Sequence, residues 1–513
     1  MKNLKEHRTR NGDILLFTGD PERDLLDDLA AGPGDLWHSS MDRGYKAAFP
    51  ELTYQMAVFW WFLNDFENLE RSINWRIDPH AFVVRKEVWE IFGGFPGDYT
   101  SQVMKAFDLG FRLLRFGGGI PMYVQGLYHK INEEVEIPGD DRYIFFLKNF
   151  KKEHSLNMLL KKGLKNPVKE YKYYSQAQTK NPKKNKFPLV PPRKLQEIKG
   201  LPTVSVIIPT MFRQDHTLQL LEDYNLQSYP VTEVIVIDAT PEENRNLGIY
   251  KIEDFSFDLI VKWQSSKGSC RARNEAIKLC KGDYIIFADD DTRILPNFVE
   301  NHLKLLQTYN VEACNGLDIQ ASHHKDGLRE LENALKELGE SRWRVGAAQT
   351  LSNANSCVRR DWVLKLKGND INFDGGYGED SDFGFSLFNE GAVVLFNPFS
   401  ANLHLKPPSG GFRHWNLQSS ILGKERKTQP WELEHPVKYI KPVPSPTVMY
   451  GILKRFSPEQ IKEYRSKYLF LYLFKNRKRA FLFRLATMPY KILQFNRSVF
   501  YAKNLLKRGP QYD

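Results

Sequence analysis

Cysteine is scarce in this chain. There are four among 513 residues, Cys270, Cys280, Cys314 and Cys357. None form a CxxC pair and all fall in one stretch, which excludes a disulfide-stapled scaffold and fits a reducing cytoplasm. Long apolar runs are also missing. Nothing approaches the ~18 residues of a membrane-spanning helix. The nearest candidates, VFWWF (58–62) and YLFLYLF (468–474), are too short. The opening MKNLKEHRTRNGD is charged and has no apolar signal-peptide core. These absences predict a soluble or peripheral protein.

What is present is globular material. Hydrophobic residues make up 42% and aromatics 13%, enough to bury large cores. At roughly 100–200 residues per domain, the length suggests two to four domains. The net charge of +11 is uneven. Residues 451–513 hold 15 Lys/Arg against 3 Asp/Glu, and residues 151–200 hold 14 against 3. The remainder carries 44 against 56. A mildly acidic body with two basic segments is not the footprint of a nucleic-acid binder. It suits an enzyme held against an anionic membrane surface.

The sharpest boundary is the Lys- and Pro-rich stretch 175–203. We read 1–150 as one domain, 151–200 as a basic linker, 201–425 as a second domain and 426–513 as a Pro-rich connection with a basic helical tail. The second domain opens with VSVIIP (204–209), followed by a helical HTLQLLEDYNLQ (216–227), then strands EVIVID (233–238) and DLIVKW (258–263). A helix over SCRARNEAIKLCKG (269–282) precedes DYIIFADDD (283–291), a strand ending in acids. This alternation predicts an α/β fold with a mostly parallel, Rossmann-like sheet flanked by helices. Ligands of such sheets bind beyond the carboxyl ends of the strands, so Asp238 and the acids at 289–291 should share a crevice.

The N-terminal domain resembles the later part of the second. GDILLF (12–17) matches GDYIIF (282–287), and FVVRKEVWEIFGG (82–94) resembles SCVRRDWVLKLKG (356–368). FDLGFRLLRFGGG (107–119) lines up with SDFGFSLFNEGAV (381–393). The first copy has lost the acids: Gly19, Asp20 and Pro21 replace the triplet, and Lys105 and Ala106 replace Glu379 and Asp380. It reads as a degenerate half-domain without catalytic chemistry. A packing platform, acceptor binding and a second activity all stay open for it. In the tail, aromatics, leucines and basics at helical spacing suit a helix in a membrane interface, or helices packed on the body with solvated Lys/Arg faces.

Three features carry chemistry. Asp289, Asp290 and Asp291 crowd three carboxylates at a strand end, which is repulsive without a cation; Mn2+ or Mg2+ takes such oxygens, though a solvated turn gives the same letters. Glu379 and Asp380 follow a glycine-rich loop at a helix start, as a helix cap or as a general base. His404, before a Pro/Gly-rich loop, is structural or completes a metal site. Arg271 and Arg273 are candidates for phosphate contacts, with surface ion pairing as the alternative. A leaving diphosphate needs this combination of cation and basic side chains.

With these pieces in order, the chain resembles the family 2 glycosyltransferases of the GT-A fold. The likeness rests on VSVIIPT (204–210), QSYPVTEVIVIDATP (227–241), RARNEAI (271–277), FADDDTRILPNFVE (287–300), GYGEDSDFGFSL (376–387) and His404. It is strong over 200–420 and weak over 10–130. The resemblance implies that Asp289 and Asp291 form the DXD motif, with Asp291 most directly on the metal and His404 as a further ligand. Asp380 would be the base of an inverting displacement. Pro209, Thr210, Asp238 and Arg273 would line the nucleotide pocket, beside Arg271, Asp289 and Asp290 on the donor. Members often carry two acids at the end of the second strand; here Asp238 is followed by Ala239. Processive members carry QxxRW and spanning helices; here FRHW (412–415) places only Arg413 and Trp415 there, which favours single-sugar transfer.

The expected function is transfer of one sugar from a nucleotide-sugar donor to a glycan or lipid-linked acceptor, in cell-surface polysaccharide or glycolipid synthesis. The expected location is the inner face of the membrane. A non-catalytic carbohydrate-binding or scaffold protein is the alternative. A nucleotidyltransferase is disfavoured, because PTMFRQDH (209–216) has no glycine.

Overall fold

The computed structural model describes residues 4–55, 62–66, 68–131, 133–180, 188–246, 248–250, 255–264, 267–412, 429–432, 434–474 and 481–513. Two compact units emerge. The first comprises 1–191, 345–347 and 456–492; the second comprises 192–344, 348–455 and 493–513.

The first unit holds β1 (Lys5–Arg8), β2 (Ile14–Phe17), β3 (Leu36–His38), β4 (Arg71–Ile73), β5 (Phe82–Arg85) and β6 (Pro121–Val124). They form one sheet in the order β1-β2-β5-β3-β6-β4. Its helices are α1 (Leu26–Ala31), α2 (Lys86–Phe92), α3 (Gln102–Arg115), α4 (Gly139–Asn149), α5 (Lys152–Gly163) and α6 (Pro167–Thr179). Trp75, Phe107, Phe111 and Phe145 interlock edge-to-face in its core.

The stretch 151–180, read above as linker, is mostly helix and belongs to this unit. Lys152, Lys169 and Lys172 are exposed, while Met158, Tyr174 and Ala177 are buried. A charge count over the segment is blind to that helical periodicity.

In the second unit lie β7 (Val204–Thr210), α7 (Gln214–Asn225), β8 (Glu233–Asp238), β9 (Asp258–Trp263), α8 (Ser269–Ile277), β10 (Tyr284–Ala288), β11 (Thr292–Ile294), α9 (Phe298–Tyr309), β12 (Ala313–Gln320) and α10 (Leu328–Leu338). After the two-residue β13 (Gly346–Ala347), counted with the first unit, come β14 (Asn355–Arg359), α11 (Arg360–Lys365), α12 (Glu379–Asn389), β15 (Val394–His404) and α13 (Pro446–Arg455). The sheet runs β11-β15-β12-β14-β10-β7-β8-β9. The β10-β7-β8-β9 half is parallel throughout. Every residue of β7 and β8 is buried, as expected of strands covered on both faces. The other half is mixed, with β14 antiparallel to both β10 and β12 and β15 parallel to β12.

The strand set β10-β14-β12-β15 has a counterpart in the first unit, β2-β5-β3-β6, with the same order and the same sequence of antiparallel, antiparallel and parallel pairings. One pairing is out of step. Arg85 pairs with Leu15, whereas Arg359 pairs with Tyr284, one residue off the match between GDILLF and GDYIIF.

The tail comprises α14 (Pro458–Phe474), α15 (Phe481–Ala486) and α16 (Met488–Arg508). Among the described residues, no helix is long and apolar enough to cross a membrane.

Candidate active site

The acidic triplet begins where β10 ends. The chain turns at Asp290 and Asp291, and the three carboxylates take different partners. Asp289 accepts from Arg273 Nη2 at 2.6 Å. Asp290 turns inward, accepting from Thr210 Oγ1 at 2.7 Å and Arg213 Nη1 at 3.0 Å. Asp291 accepts from the same Arg213 nitrogen at 2.7 Å.

His404 reaches Asp291 through strand pairing. Thr292 on β11 is paired with His404 on β15, and Leu405 N donates to the Asp291 carbonyl at 2.8 Å. His404 Nε2 then lies 3.3 Å from Asp291 Oδ1, and its Nδ1 lies 3.3 Å from Asp318 Oδ1 on β12. A bulge settles which side His404 takes. Gly316 pairs with Asn397 but Leu317 with Ala401, so β15 gains three residues. An odd insertion swaps the faces of every later residue in the strand. Asn402 and His404 thereby join Asp318, which Asn402 Nδ2 bonds at 2.7 Å.

One ligand atom each from Asp289, Asp291 and His404 lie within 4.8 Å of one another. Two carboxylates with one imidazole suit a hard divalent ion such as Mn2+ or Mg2+. The electrostatics fit as well. Burial and the adjacent Asp291 push the Asp290 carboxyl up. Burial also works to raise Asp291, but the His404 hydrogen bond and the Arg213 charge hold it below the usual carboxylate range. Burial disfavours a charged His404, yet its bonds to Asp291 and Asp318 outweigh this and push the imidazole up to about 10. Excess negative charge here is met by protons and guanidinium, and a ligated imidazole must release its proton.

Glu379 and Asp380 open α12. Gly378, just before it, has φ +103°, a left-handed conformation that favours glycine. Both acids line the same cavity as the triplet. Asp382, two residues after Asp380 in the same first turn, faces α13 instead and binds Lys454 Nζ at 2.8 Å and Arg455 Nη2 at 2.9 Å. Thr447 Oγ1 accepts from Tyr377 N and donates to the Tyr377 carbonyl, both at 2.9 Å. A Cβ on Gly376 would sit 2.4 Å from Thr447 Oγ1. So α13, assigned above to the tail, clamps the glycine-rich loop and the start of α12.

The cavity holds about 440 Å³. Pro209, Arg273, Asp289, Asp290, Asp291, Glu379, Asp380 and His404 all line it. Three expected residues do not. Thr210 is fully buried behind Asp290. Asp238 is fully buried too, taking hydrogen bonds from Thr240 N, Gln214 Nε2 and Tyr250 OH. Arg271 is two residues from Arg273 on α8; at about 100° per residue the two point to opposite sides. Arg413 and Trp415 lie outside the described residues. The sequence reading missed Arg213, Asp318 and Asn353. Arg213 had one signal, a lone cation three residues past the β7 end.

Arg273 is 4% exposed, and its Nε and Nη1 have no hydrogen-bond partner among the described residues. Buried guanidinium N–H groups left open beside a cavity are ready to receive anionic oxygens.

An α/β domain with acids gathered at the carboxyl ends of parallel strands defines a class that binds ligands at the sheet crevice. Residues 205–366 match the family model described as Glycosyl transferase family 2, so the chain carries a domain of that family. Among similar curated proteins is the UDP-Glc:alpha-D-GlcNAc-diphosphoundecaprenol beta-1,3-glucosyltransferase WfaP of Escherichia coli. It is 32% identical over 108 residues, 21% of this chain and 43% of that protein. Chondroitin synthase of Escherichia coli is 25% identical over 256 residues, 42% of this chain and 36% of that one. The chain thus spans less than half the length of these relatives. Among solved structures, S. aureus TarS residues 1–349 with UDP-GlcNAc aligns at TM-score 0.36 and 13% identity, covering 61% of this chain and 93% of that one.

Proposed function

We propose that the chain is an inverting, metal-dependent glycosyltransferase that moves one sugar from a nucleotide-sugar donor to a hydroxyl of a glycan or lipid-linked acceptor in surface polysaccharide or glycolipid synthesis. One observation carries the reading: a single cavity is lined at once by the Asp289–Asp291–His404 group, by Arg273 and by Glu379 and Asp380.

Asp289, Asp291 and His404 would hold the ion. When bound, it supplies positive charge beside the diphosphate as that group leaves. Arg273 Nε and Nη1 donate to diphosphate oxygens. Asp380 accepts the proton of the acceptor hydroxyl while that oxygen bonds to the anomeric carbon and the sugar–phosphate bond breaks. The displaced electron pair departs with the diphosphate, and configuration inverts. Glu379, 5% exposed, stands beside Asp380 at the same helix start.

The first unit is a related copy without catalytic chemistry, acting as a packing platform. Its matching strand order supports this. In the tail, Leu482, Phe483, Leu485 and Tyr490 are 76%, 70%, 51% and 47% exposed, and the preceding segment reads KNRKRA (475–480). Apolar side chains beside clustered cations suit an anionic lipid surface. Flotation with phosphatidylserine vesicles tests this. The double substitution Leu482→Ser and Phe483→Ser should release the protein by about tenfold; unchanged binding refutes the assignment.

The central test is a screen of nucleotide sugars for Mn2+-stimulated hydrolysis and for thermal stabilisation. A responding donor is expected. A folded protein that neither hydrolyses nor binds any nucleotide sugar with Mn2+ present would favour the carbohydrate-binding alternative.

A further inference from the structure

We infer that Asn353 reads hydroxyl groups of the sugar handled in this cavity, an inference that rests on the transfer reading above. Asn353 is 2% exposed and lines the cavity. Neither Oδ1 nor Nδ2 has a hydrogen-bond partner among the described residues. Buried side-chain amides are normally satisfied, and the neighbouring ones are. Asn355 pairs its Oδ1 with His302 Nε2 at 3.0 Å and gives its Nδ2 to the Ser400 carbonyl and Asn402 Oδ1. Asn315 Oδ1 accepts from Ser352 N at 2.6 Å.

That last bond, with Ala354 N on Ser352 Oγ at 3.2 Å and Asn355 N on the Ser352 carbonyl at 3.3 Å, fixes the backbone around Asn353. The side chain is held on a rigid turn at the start of β14 with its polar atoms uncommitted.

The chemistry of the group selects its ligand. A primary amide offers one acceptor and two donors without charge. Other residues already serve the cation, in Asp289, Asp291 and His404, and the diphosphate, in Arg273. A neutral donor–acceptor pair matches adjacent hydroxyls of a pyranose, each of which donates and accepts. The same hydroxyl chemistry belongs to the donor's sugar and to an acceptor sugar, and the test separates them.

Asn353→Ala and Asn353→Asp are compared with the unsubstituted full chain by calorimetry with Mn2+. The probes are UDP against UDP-glucose and GDP against GDP-mannose, and acceptor KM is read alongside. Asn353→Ala should bind the sugar-free diphosphate within about twofold of the parent. The added affinity conferred by the sugar should fall by about tenfold or more. If the acceptor's sugar is the one read, acceptor KM should rise by that factor instead. Asn353→Asp keeps the size but loses the two amide donors, so it should show the same selective loss. Unchanged sugar increments and unchanged acceptor KM in both variants overturn the proposal. So does an equal loss of affinity for diphosphate and sugar nucleotide. An unsubstituted protein that binds no nucleotide sugar of the screen above defeats the transfer reading itself, a result visible without either variant.

Discussion

The two units share the order of four strands but dispose of their charges differently. In the first, several acids with buried side chains meet cations, while buried Asp141 and Glu170 take hydrogen bonds from Thr100, Ser101 and Tyr143. Arg43 Nε lies 2.6 Å from Asp78 Oδ2, and Arg76 Nη1 lies 2.6 Å from Asp65 Oδ1. Fully buried Asp108 meets Lys148 Nζ at 3.0 Å and Arg112 Nε at 2.8 Å. At the strand end corresponding to the acidic triplet, Tyr128 OH bonds the Thr18 carbonyl at 2.9 Å, and Asp20 stands alone as an exposed acid. In the second unit, the cavity gathers six carboxylates, Asp289, Asp290, Asp291, Asp318, Glu379 and Asp380, against Arg213, Arg273, Lys406 and His404. The first unit thus satisfies its buried acids within the core, whereas the second sets six carboxylates and four basic side chains around one accessible cavity. Strand order alone does not make the site; the polar groups set around the strand ends do.

The strongest way to break this comparison is at the acids. Asp380→Asn should lower sugar transfer by about 10²- to 10⁴-fold, the usual weight of a general base, with donor affinity nearly unchanged by calorimetry. Asp20→Asn in the first unit should leave both within about twofold. Full transfer by Asp380→Asn, or a large loss from Asp20→Asn, reverses the roles assigned to the two units.

A second substitution sharpens the contrast from the other side. Lys148 is 1% exposed and bonds both Asp98 and Asp108. Lys148→Met removes one of the two cations on fully buried Asp108, leaving Arg112, and should cost about 1.5–3 kcal/mol of stability in denaturant unfolding. The folded fraction should keep its transfer kinetics. A drop in kcat per folded molecule would place the first unit in the chemistry.

The smallest effect concerns the tail. Serine at Leu482 and Phe483 should alter vesicle binding but not hydrolysis of a soluble donor. Truncation after residue 455 is a poor substitute, because residues 493–513 belong to the second unit. There Asn274 Nδ2 donates to the Tyr512 carbonyl at 2.9 Å, and Ile371 N to the Gln511 carbonyl at 2.8 Å.

Much of this was legible in the chain itself. The strands at 204–210, 233–238 and 284–288 stand out because strands buried on both faces are continuous apolar runs; the edge strand 258–263 is only partly buried. The acids that follow 284–288 mark the crevice because that strand stops there. Asp289, Asp291 and His404 were named from letters alone, as were Glu379 and Asp380 at a helix start. The failures have physical causes. Asp238 and Thr210 end the right strands but spend their hydrogen bonds internally. Arg271 shares a helix with Arg273 but not a side of it. The helices of 151–180 hid behind their lysines, since composition averages over a periodicity that burial does not.

Sequence by itself determined the parallel half of the sheet, the position of the acids at its edge and the family of the 205–366 domain, because local hydrophobic pattern and strand termini fix those features. Only tertiary structure decided which groups face the cavity. The three-residue bulge before Ala401 turned His404 toward Asp291, α13 returned from far along the chain to clamp the loop before Glu379, and strand β12 brought Asp318 to His404. Each depends on contacts between residues distant in sequence, whose register no local pattern encodes.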